Sequence, residues 1–220
     1  ALGGNDVVTA KGFAIRTSVL GGLGNDILSG ATMTAPISLF GGSGDDMLIG
    51  GQSNDYLDGG EGFDQIFGGL GNDRIEGGSG SDSIFYSAGE GQDLVDGGEG
   101  DDVVRGANIV GFIAGGGGND LIDGSSARVT VTDATGNSMS VAGGVRLYGG
   151  AGSDKIWSGL GKDVVTGGSG KDTFVFYEYG PKYKDTITDF KSGEDKIVLM
   201  ANPFDALSVG KLKAANFALG

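Results

Sequence analysis

A nine-residue unit repeats five times without interruption between Gly41 and Phe85. Each copy follows the pattern Gly-Gly-x-Gly-x-Asp-x-apolar-x, and one copy departs from it, with Ser53 at the fourth position. A short fixed period is typical of solenoids, in which each unit contacts only its neighbours. Nine residues cannot bury an apolar side chain alone, so the copies must stack.

The residue types of one unit indicate a cation-binding turn followed by a short strand. Glycine allows a positive φ, so the first four residues can turn sharply and direct several carbonyl oxygens into a small space. The aspartate adds an ionised carboxylate, and this set of hard oxygen ligands suits Ca²⁺. The last three residues predict a strand with its middle side chain pointing inward.

The same register extends along most of the chain. Thirteen loop aspartates are each followed, two residues later, by Val, Leu, Ile or Phe. The candidate carboxylate ligands are Asp6, Asp26, Asp46, Asp55, Asp64, Asp73, Asp82, Asp93, Asp102, Asp120, Asp154, Asp163 and Asp172. The candidate glycines around the ions are Gly22, Gly24, Gly42, Gly44, Gly60, Gly62, Gly69, Gly71, Gly78, Gly80, Gly98, Gly100, Gly116, Gly118, Gly150, Gly152, Gly168 and Gly170.

Composition excludes several alternatives. Forty-eight glycines in 220 residues are also typical of disordered low-complexity chains, but such chains have no reason to keep this register. The net charge of −14 argues against nucleic acid as a partner, and no apolar run is long enough for membrane insertion. Aspartates stacked about 5 Å apart repel each other unless cations lie between them. The chain has no cysteine and no histidine, so metal rather than disulfides would stabilise the fold, and histidine-based catalysis is excluded.

The nonapeptide resembles the RTX, or haemolysin-type, calcium-binding repeat. The resemblance implies an all-β fold, a right-handed parallel β-roll (a β-solenoid) in which two nonapeptides make one turn and Ca²⁺ lies between consecutive loops. It also implies a secreted, extracellular or cell-surface bacterial protein that passes through type I secretion machinery and folds on binding Ca²⁺.

Alternate loops of such a roll fall on two sides. The loops of the first side end at Asp6, Asp26, Asp46, Asp64, Asp82, Asp102, Asp120, Asp154 and Asp172. The second side has only Asp55, Asp73 and Asp93 in succession, with Asp163 isolated. If each gap between stacked loops holds one ion, about eight sites lie on the first side and about two on the second, which gives about ten Ca²⁺.

Irregular half-turns divide the roll, which we place at residues 1–175. Residues 10–20 and 30–40 are spacers that lack the loop motif but keep an apolar residue, Val19 or Leu39, two residues before the next Gly-Gly. Residues 106–114 lack the loop aspartate, and residues 124–148 contain alternating SARVTVTD and a turn-like TGNS, which together predict a hairpin excursion.

The composition changes after residue 175, and we expect residues 176–220 to be a C-terminal β cap. This segment resembles the one that closes the roll in serralysin-type proteases, with D-x-I-x-D-F at 185–190 and G-x-D-x-I at 193–197. The resemblance implies that Asp189 or Asp195 lends an oxygen to the last ion; the alternative is a surface hairpin with solvated acids. In that family the region runs on into further strands, so the end at Gly220 suggests a truncated fragment.

Three functions compete at this stage. The first is a calcium-binding module that folds outside the cell. The second is an adhesin or S-layer-type module, in which the irregular half-turns make cell-surface, polysaccharide or self-association contacts. The third is a non-catalytic module of a secreted protease, lipase or alginate epimerase, because the chain shows no recognisable catalytic pair. Trp157, Tyr148, Phe112 and Met139 could line a sugar or partner site, or could simply pack at the irregular turns.

Overall fold

The computed structural model describes residues 2–12, 15–86, 91–107, 111–126, 129–132, 138–141, 144–158, 162–176 and 185–199. These residues form strands and turns and contain no helix, so no helix among them is long and apolar enough to cross a membrane. The strands are β1 Leu2–Gly3, β2 Val7–Thr9, β3 Thr17–Leu23, β4 Ile27–Ser29, β5 Ile37–Ser43, β6 Met47–Ile49, β7 Tyr56–Glu61, β8 Gln65–Phe67, β9 Arg74–Ser79, β10 Ser83–Tyr86, β11 Leu94–Glu99, β12 Val103–Ala107, β13 Phe112–Gly117, β14 Leu121–Ser126, β15 Val129–Thr132, β16 Ser138–Val141, β17 Arg146–Gly152, β18 Lys155–Trp157, β19 Val164–Gly170, β20 Thr173–Phe176, β21 Thr186–Ile187 and β22 Lys196–Leu199.

The described residues form two parallel sheets of ten strands each, besides the two-stranded hairpin β15–β16. Sheet I has the order β1-β3-β5-β7-β9-β11-β13-β17-β19-β21, and sheet II has the order β2-β4-β6-β8-β10-β12-β14-β18-β20-β22. Each turn of the chain therefore adds one strand to each sheet. This arrangement confirms the prediction of an all-β parallel β-solenoid.

The repeat sets the register between neighbouring strands. Leu57 pairs with Ile75, and Ile75 with Val95, so equivalent positions of successive units lie side by side. The inward side chains of sheet I form one apolar ladder and those of sheet II form another. Both ladders are at most 1% exposed from the third turn onward, through Leu39, Leu57, Ile75, Val95, Ile113, Leu147 and Val165 in sheet I and Leu48, Ile66, Ile84, Val104, Ile122, Ile156 and Phe174 in sheet II.

The irregular half-turns leave the ladders intact. The spacer of residues 30–40 buries Met33, Ile37 and Leu39, so it keeps its place in the core although it has no loop aspartate. The excursion after β14 forms an antiparallel hairpin, β15–β16, as its alternating sequence predicted. Its expected turn at TGNS lies largely outside the described residues. Beyond the hairpin, β17 pairs directly with β13 and the stack resumes.

The last two strands lie in the segment that we expected to be a cap. Strand β21 pairs with β19 and strand β22 with β20, so residues 186–187 and 196–199 continue the two sheets. Their inward residues Ile187 and Ile197 pack against the core but are only partly buried. Residues 177–184 and 200–220 of the expected cap lie outside the described part, and the division at residue 175 stays a prediction.

Candidate metal centre

The aspartates of the first side form one continuous column. The backbone N–H of each loop aspartate donates to Oδ1 of the aspartate in the next loop, beginning with Asp6 to Asp26 and ending with Asp172 to Asp195. These nine hydrogen bonds are 2.7–3.1 Å long. Asp120 bonds directly to Asp154, so the hairpin excursion does not break the column.

The first glycine of each loop faces two oxygen atoms at once. A methyl group built on Gly59 would lie 2.3 Å from Oδ2 of Asp64, in the same loop, and 2.5 Å from the carbonyl oxygen of Gly77, in the next loop. The same arrangement, with distances of 2.2–2.6 Å, recurs at Gly21, Gly41, Gly59, Gly77, Gly97, Gly115 and Gly149. We call each such space, bounded by the first glycine, a carboxylate and a carbonyl, a cradle. These first glycines were not among the candidate residues predicted from the sequence, although the Gly-Gly repeat contains that signal.

The second and fourth glycines turn the chain around each cradle. Gly42 and Gly44 have φ values of +118° and +123°, a conformation that costs other residues strain. Methyl groups on the equivalent Gly60 and Gly62 would lie 2.1–2.2 Å from the carbonyl oxygens of Gly42 and Gly44. The carbonyls of one loop therefore point at the next loop. All the glycines predicted at these two positions share a φ between +100° and +143°.

The second carboxylate oxygen of these aspartates is buried without a partner. Among the described residues, no hydrogen bond reaches Oδ2 of Asp26, Asp46, Asp64, Asp73, Asp82, Asp102, Asp120 or Asp154. Each of these side chains is at most 3% exposed. A buried, unpaired carboxylate oxygen is costly, and a cation beside it would remove that cost.

The oxygen set is dominated by the backbone. No three acidic side chains of the described residues come close enough to form a metal cluster by themselves. Each loop instead contributes one carboxylate and several carbonyls, which are hard ligands suited to Ca²⁺. The donor chemistry of the cradles therefore fits a calcium ion.

Burial raises the pKa values of several loop aspartates, among them Asp46, Asp64 and Asp102, above their ordinary value of 3.8. Loss of hydration is the largest cause, and the N–H hydrogen bond from the preceding loop acts in the opposite direction. The pKa rises to about 7 for Asp64, Asp73, Asp102 and Asp154. It rises to about 6 for Asp82 and Asp120. Without a cation, these six carboxylates therefore take up protons at a higher pH than an ordinary aspartate does.

A second ladder runs along the outer surface at the fifth position of the loops. Here the backbone N–H of the later residue donates to the side-chain oxygen of the earlier one, as from Asn25 to Asn5 and from Asp45 to Asn25. Asp45 accepts in turn from Phe63, which has no oxygen to offer the next loop. The fifth position was not predicted to be constrained, although Asn, Asp and Ser are frequent there.

The second side is less regular than the first. Asp55 donates from its backbone N–H to Asp73, and Asp73 to Asp93, as the predicted succession requires. The expectation that Asp163 is isolated is wrong, because its backbone N–H donates to Oδ1 of Asp185 over 2.9 Å. Asp185 was missed as a loop aspartate, although Ile187 follows it at the usual spacing.

The two C-terminal candidates lie in different positions. Asp195 continues the column of the first side, and its Oδ2 also accepts from the backbone N–H of Lys191. Asp189 accepts from the backbone N–H groups of Gly167 and Gly168, which begin the last glycine-rich loop. The Asp189 carboxylate therefore binds backbone N–H groups of β19 that lie beyond the residues paired with β21.

A cluster of charged side chains lies on the outer face of sheet I. The register places Asp58 beside Glu76, and the hydroxyl of Tyr56 donates to Oε2 of Glu76 over 2.7 Å. Arg74 pairs with the same carboxylate. Burial and the neighbouring Glu76 raise the pKa of Asp58. Sequence reasoning found no such pair because the residues belong to different repeats.

The four residues that could have lined a sugar or partner site do not lie together. Phe112 and Tyr148 lie on neighbouring strands of sheet I, whereas Trp157 lies on sheet II with the Lys155 ammonium 4.3 Å from its ring centre. Met139 belongs to the hairpin. The geometry thus gives no shared binding surface for these four residues.

Comparison with known proteins agrees with this geometry. No curated protein matches the chain. The family model for the RTX calcium-binding nonapeptide repeat matches residues 38–66, 50–84, 59–91, 85–108, 112–128 and 146–174, which together cover more than half of the chain. That family is a non-catalytic structural module that binds Ca²⁺. The stacked loops and the family match lead to the same conclusion: the chain belongs to the RTX calcium-binding nonapeptide repeat family.

Proposed function

We propose that this chain is a calcium-driven folding module of a secreted protein. The observation that carries the proposal is the row of cradles on the first side. In each cradle an unpartnered carboxylate oxygen and a backbone carbonyl oxygen face the same small space. Two such oxygens repel each other when no cation lies between them.

The loop aspartates of the first side would hold the ions together with the glycine carbonyls, as would Asp73, Asp93 and Asp163 on the second side. The count of gaps between stacked loops gives about ten ions. Because the glycine loops have no side chains with which to pack, the free energy of calcium binding would supply much of the free energy of folding.

Secretion would explain why folding is coupled to calcium binding. Extracellular calcium modules fill at roughly 10⁻⁴–10⁻³ M, well above the free calcium inside a cell. The chain would therefore stay unfolded until it had passed through type I secretion machinery, and would fold outside. Residues 176–220, with their resemblance to the serralysin-type C-terminal domain, would cap the roll, since an uncovered end leaves strand edges open.

A second candidate is a surface contact module, and the positions of the irregular half-turns favour it. The described parts of residues 10–20 and 30–40 and the hairpin β15–β16 all connect sheet II to sheet I. They consequently lie on the second side, away from the row of cradles. Calcium-dependent self-association in light scattering would support this role, and a monomer at all calcium concentrations would oppose self-association.

The primary test is far-ultraviolet circular dichroism during a calcium titration, with magnesium as the control ion. We expect a cooperative rise of β signal with Ca²⁺ and none with Mg²⁺. An equally strong β signal in chelator would contradict the proposal.

A matched pair of variants tests the ligands. Asp46→Asn removes the charge at a cradle but keeps an oxygen to accept the N–H of Asp26. Asp45→Asn removes the same charge one residue earlier, on the exposed ladder. We expect the calcium midpoint to rise clearly for Asp46→Asn and little for Asp45→Asn. Equal shifts would indicate that net charge alone governs the response.

A further inference from the structure

One loop that matches the repeat differs from the others in how its aspartate is satisfied. Asp55 accepts hydrogen bonds at both carboxylate oxygens, at Oδ1 from the backbone N–H of Ile37 over 2.9 Å and at Oδ2 from that of Gly51 over 2.5 Å. By contrast, Oδ2 of Asp73 in the next loop of the same side is buried and has no partner among the described residues.

The backbone of residues 50–55 also departs from the cradle geometry. Gly51, at the second position, does not have a positive φ, whereas Gly69 in the next loop has φ +100°. A methyl group on Gly50 would lie 3.0 Å from Oδ2 of Asp55, compared with 2.2–2.5 Å in the cradles of the first side. The carboxylate has turned away from the first glycine and toward the Gly51 N–H.

The serine that breaks the repeat has a partner of its own. The hydroxyl of Ser53 donates to the carbonyl oxygen of Thr34 over 2.6 Å. The backbone N–H of Gln52 donates to the carbonyl of Met33 over 3.0 Å. Both acceptors belong to the spacer at 30–40, which has no loop aspartate. This loop is therefore joined to the spacer by ordinary hydrogen bonds.

A second serine that replaces a glycine of the motif lies near the other end of the second side. Ser158 replaces a first-position glycine, and its hydroxyl donates to Oδ2 of Asp185 over 3.1 Å. Oδ1 of Asp185 accepts the backbone N–H of Asp163. The carboxylate of Asp185, like that of Asp55, thus has a protein donor at each oxygen.

We infer that Asp55 and Asp185 are not calcium ligands and that the serine-containing loops at Ser53 and Ser158 hold these carboxylates by hydrogen bonds in place of an ion. A carboxylate that already accepts a donor at each oxygen gains less from a cation than one with an empty, buried oxygen. Asp189 and Asp195, each with two backbone donors, belong to the same metal-independent group. The inference rests on the proposed calcium function and divides the aspartates of the motif into ligands and hydrogen-bonded anchors.

The test compares Asp55→Asn with Asp73→Asn in the full chain. Bound calcium per chain is measured by equilibrium dialysis and elemental analysis, and the free energy of unfolding is measured at several saturating calcium concentrations. Asp73→Asn should lose one ion, so its stability deficit should grow as calcium rises. Asp55→Asn should keep the wild-type ion number, with a stability deficit that does not change with calcium.

The possible outcomes distinguish failure of this inference from failure of the proposed calcium function. Loss of an ion in Asp55→Asn, with normal binding by the wild type, would overturn this inference and leave the calcium function standing. Absence of calcium binding in the wild type would overturn both. If Asp55→Asn does not fold, Asp185→Asn provides the same comparison, and an ion lost there would likewise refute the inference.

Discussion

Replacing a single glycine in the middle of the roll should disrupt the stack much more than replacing its equivalent in the first loop. Gly62 and Gly4 both occupy the fourth position of the motif, with φ values of +133° and +115°. A methyl group on Gly62 would lie 2.2 Å from the carbonyl oxygen of Gly44, whereas a methyl group on Gly4 would meet nothing within 4 Å. The pair therefore separates backbone strain from steric clash.

The expected magnitudes follow from these contacts. An alanine held at such a φ costs about 1–3 kcal/mol at either position. At Gly62 the clash with the Gly44 carbonyl also forces β5 and β7 apart, at the hydrogen bond from Gly44 to Glu61, which is 2.8 Å long. This bond contributes about 0.5–1.5 kcal/mol, so Gly62→Ala should lose about 1.5–4.5 kcal/mol in total and Gly4→Ala about 1–3 kcal/mol.

The assay is urea unfolding of the calcium-saturated protein, followed by circular dichroism. Gly62→Ala should also raise the calcium midpoint, because its methyl group would displace the Gly44 carbonyl, one of the backbone oxygens between the stacked loops. Equal losses for the two variants would refute the argument from close stacking and would leave only the backbone conformation as the reason for the glycines.

Three other changes test separate parts of the structure. Ile75→Ala removes a core side chain that is fully buried, and we expect a loss of about 2–5 kcal/mol in urea unfolding. Phe63→Asn should stabilise the roll by about 0.5–1.5 kcal/mol, since an amide oxygen at this exposed position could accept the N–H of Ser81 and continue the outer ladder. Lowering the pH from about 8 to about 5 should weaken calcium binding, because Asp102, with its pKa raised to about 7, and its equivalents must release protons before they bind an ion.

A specific result would contradict each of these three predictions. If Ile75→Ala lowers the free energy of unfolding no more than Val8→Ala, at a side chain that is only partly buried, then the core is not the main source of stability. Unchanged stability in Phe63→Asn would show that the outer ladder contributes little. For pH, the metal-free fold should become more stable as the pH falls from about 7 toward 3.8, because the folded state binds more protons than the unfolded one. Calcium affinity that does not depend on pH would contradict the raised pKa values.

The repeat by itself predicted most of the fold. A fixed period forces equivalent residues into register, so the aspartate two residues before Leu57 or Ile75 marks both a turn and an inward strand. The thirteen loop aspartates and the glycines with positive φ were visible in this way, whereas the hairpin was predicted from the alternating residues of the interruption. Local chemistry was sufficient because each unit contacts only its neighbours.

The tertiary structure decided which oxygen atoms have partners. Asp55 and Asp73 have the same motif position, but the Asp55 carboxylate is satisfied by Ile37 and Gly51, whereas one buried oxygen of Asp73 has no partner in the described part of the chain. The continuity of Asp163 with Asp185 also depends on contacts between successive turns. Sequence specifies the donors and acceptors of a loop, but hydrogen bonds across turns depend on which half-turn is stacked beside it, and irregular half-turns change that neighbour.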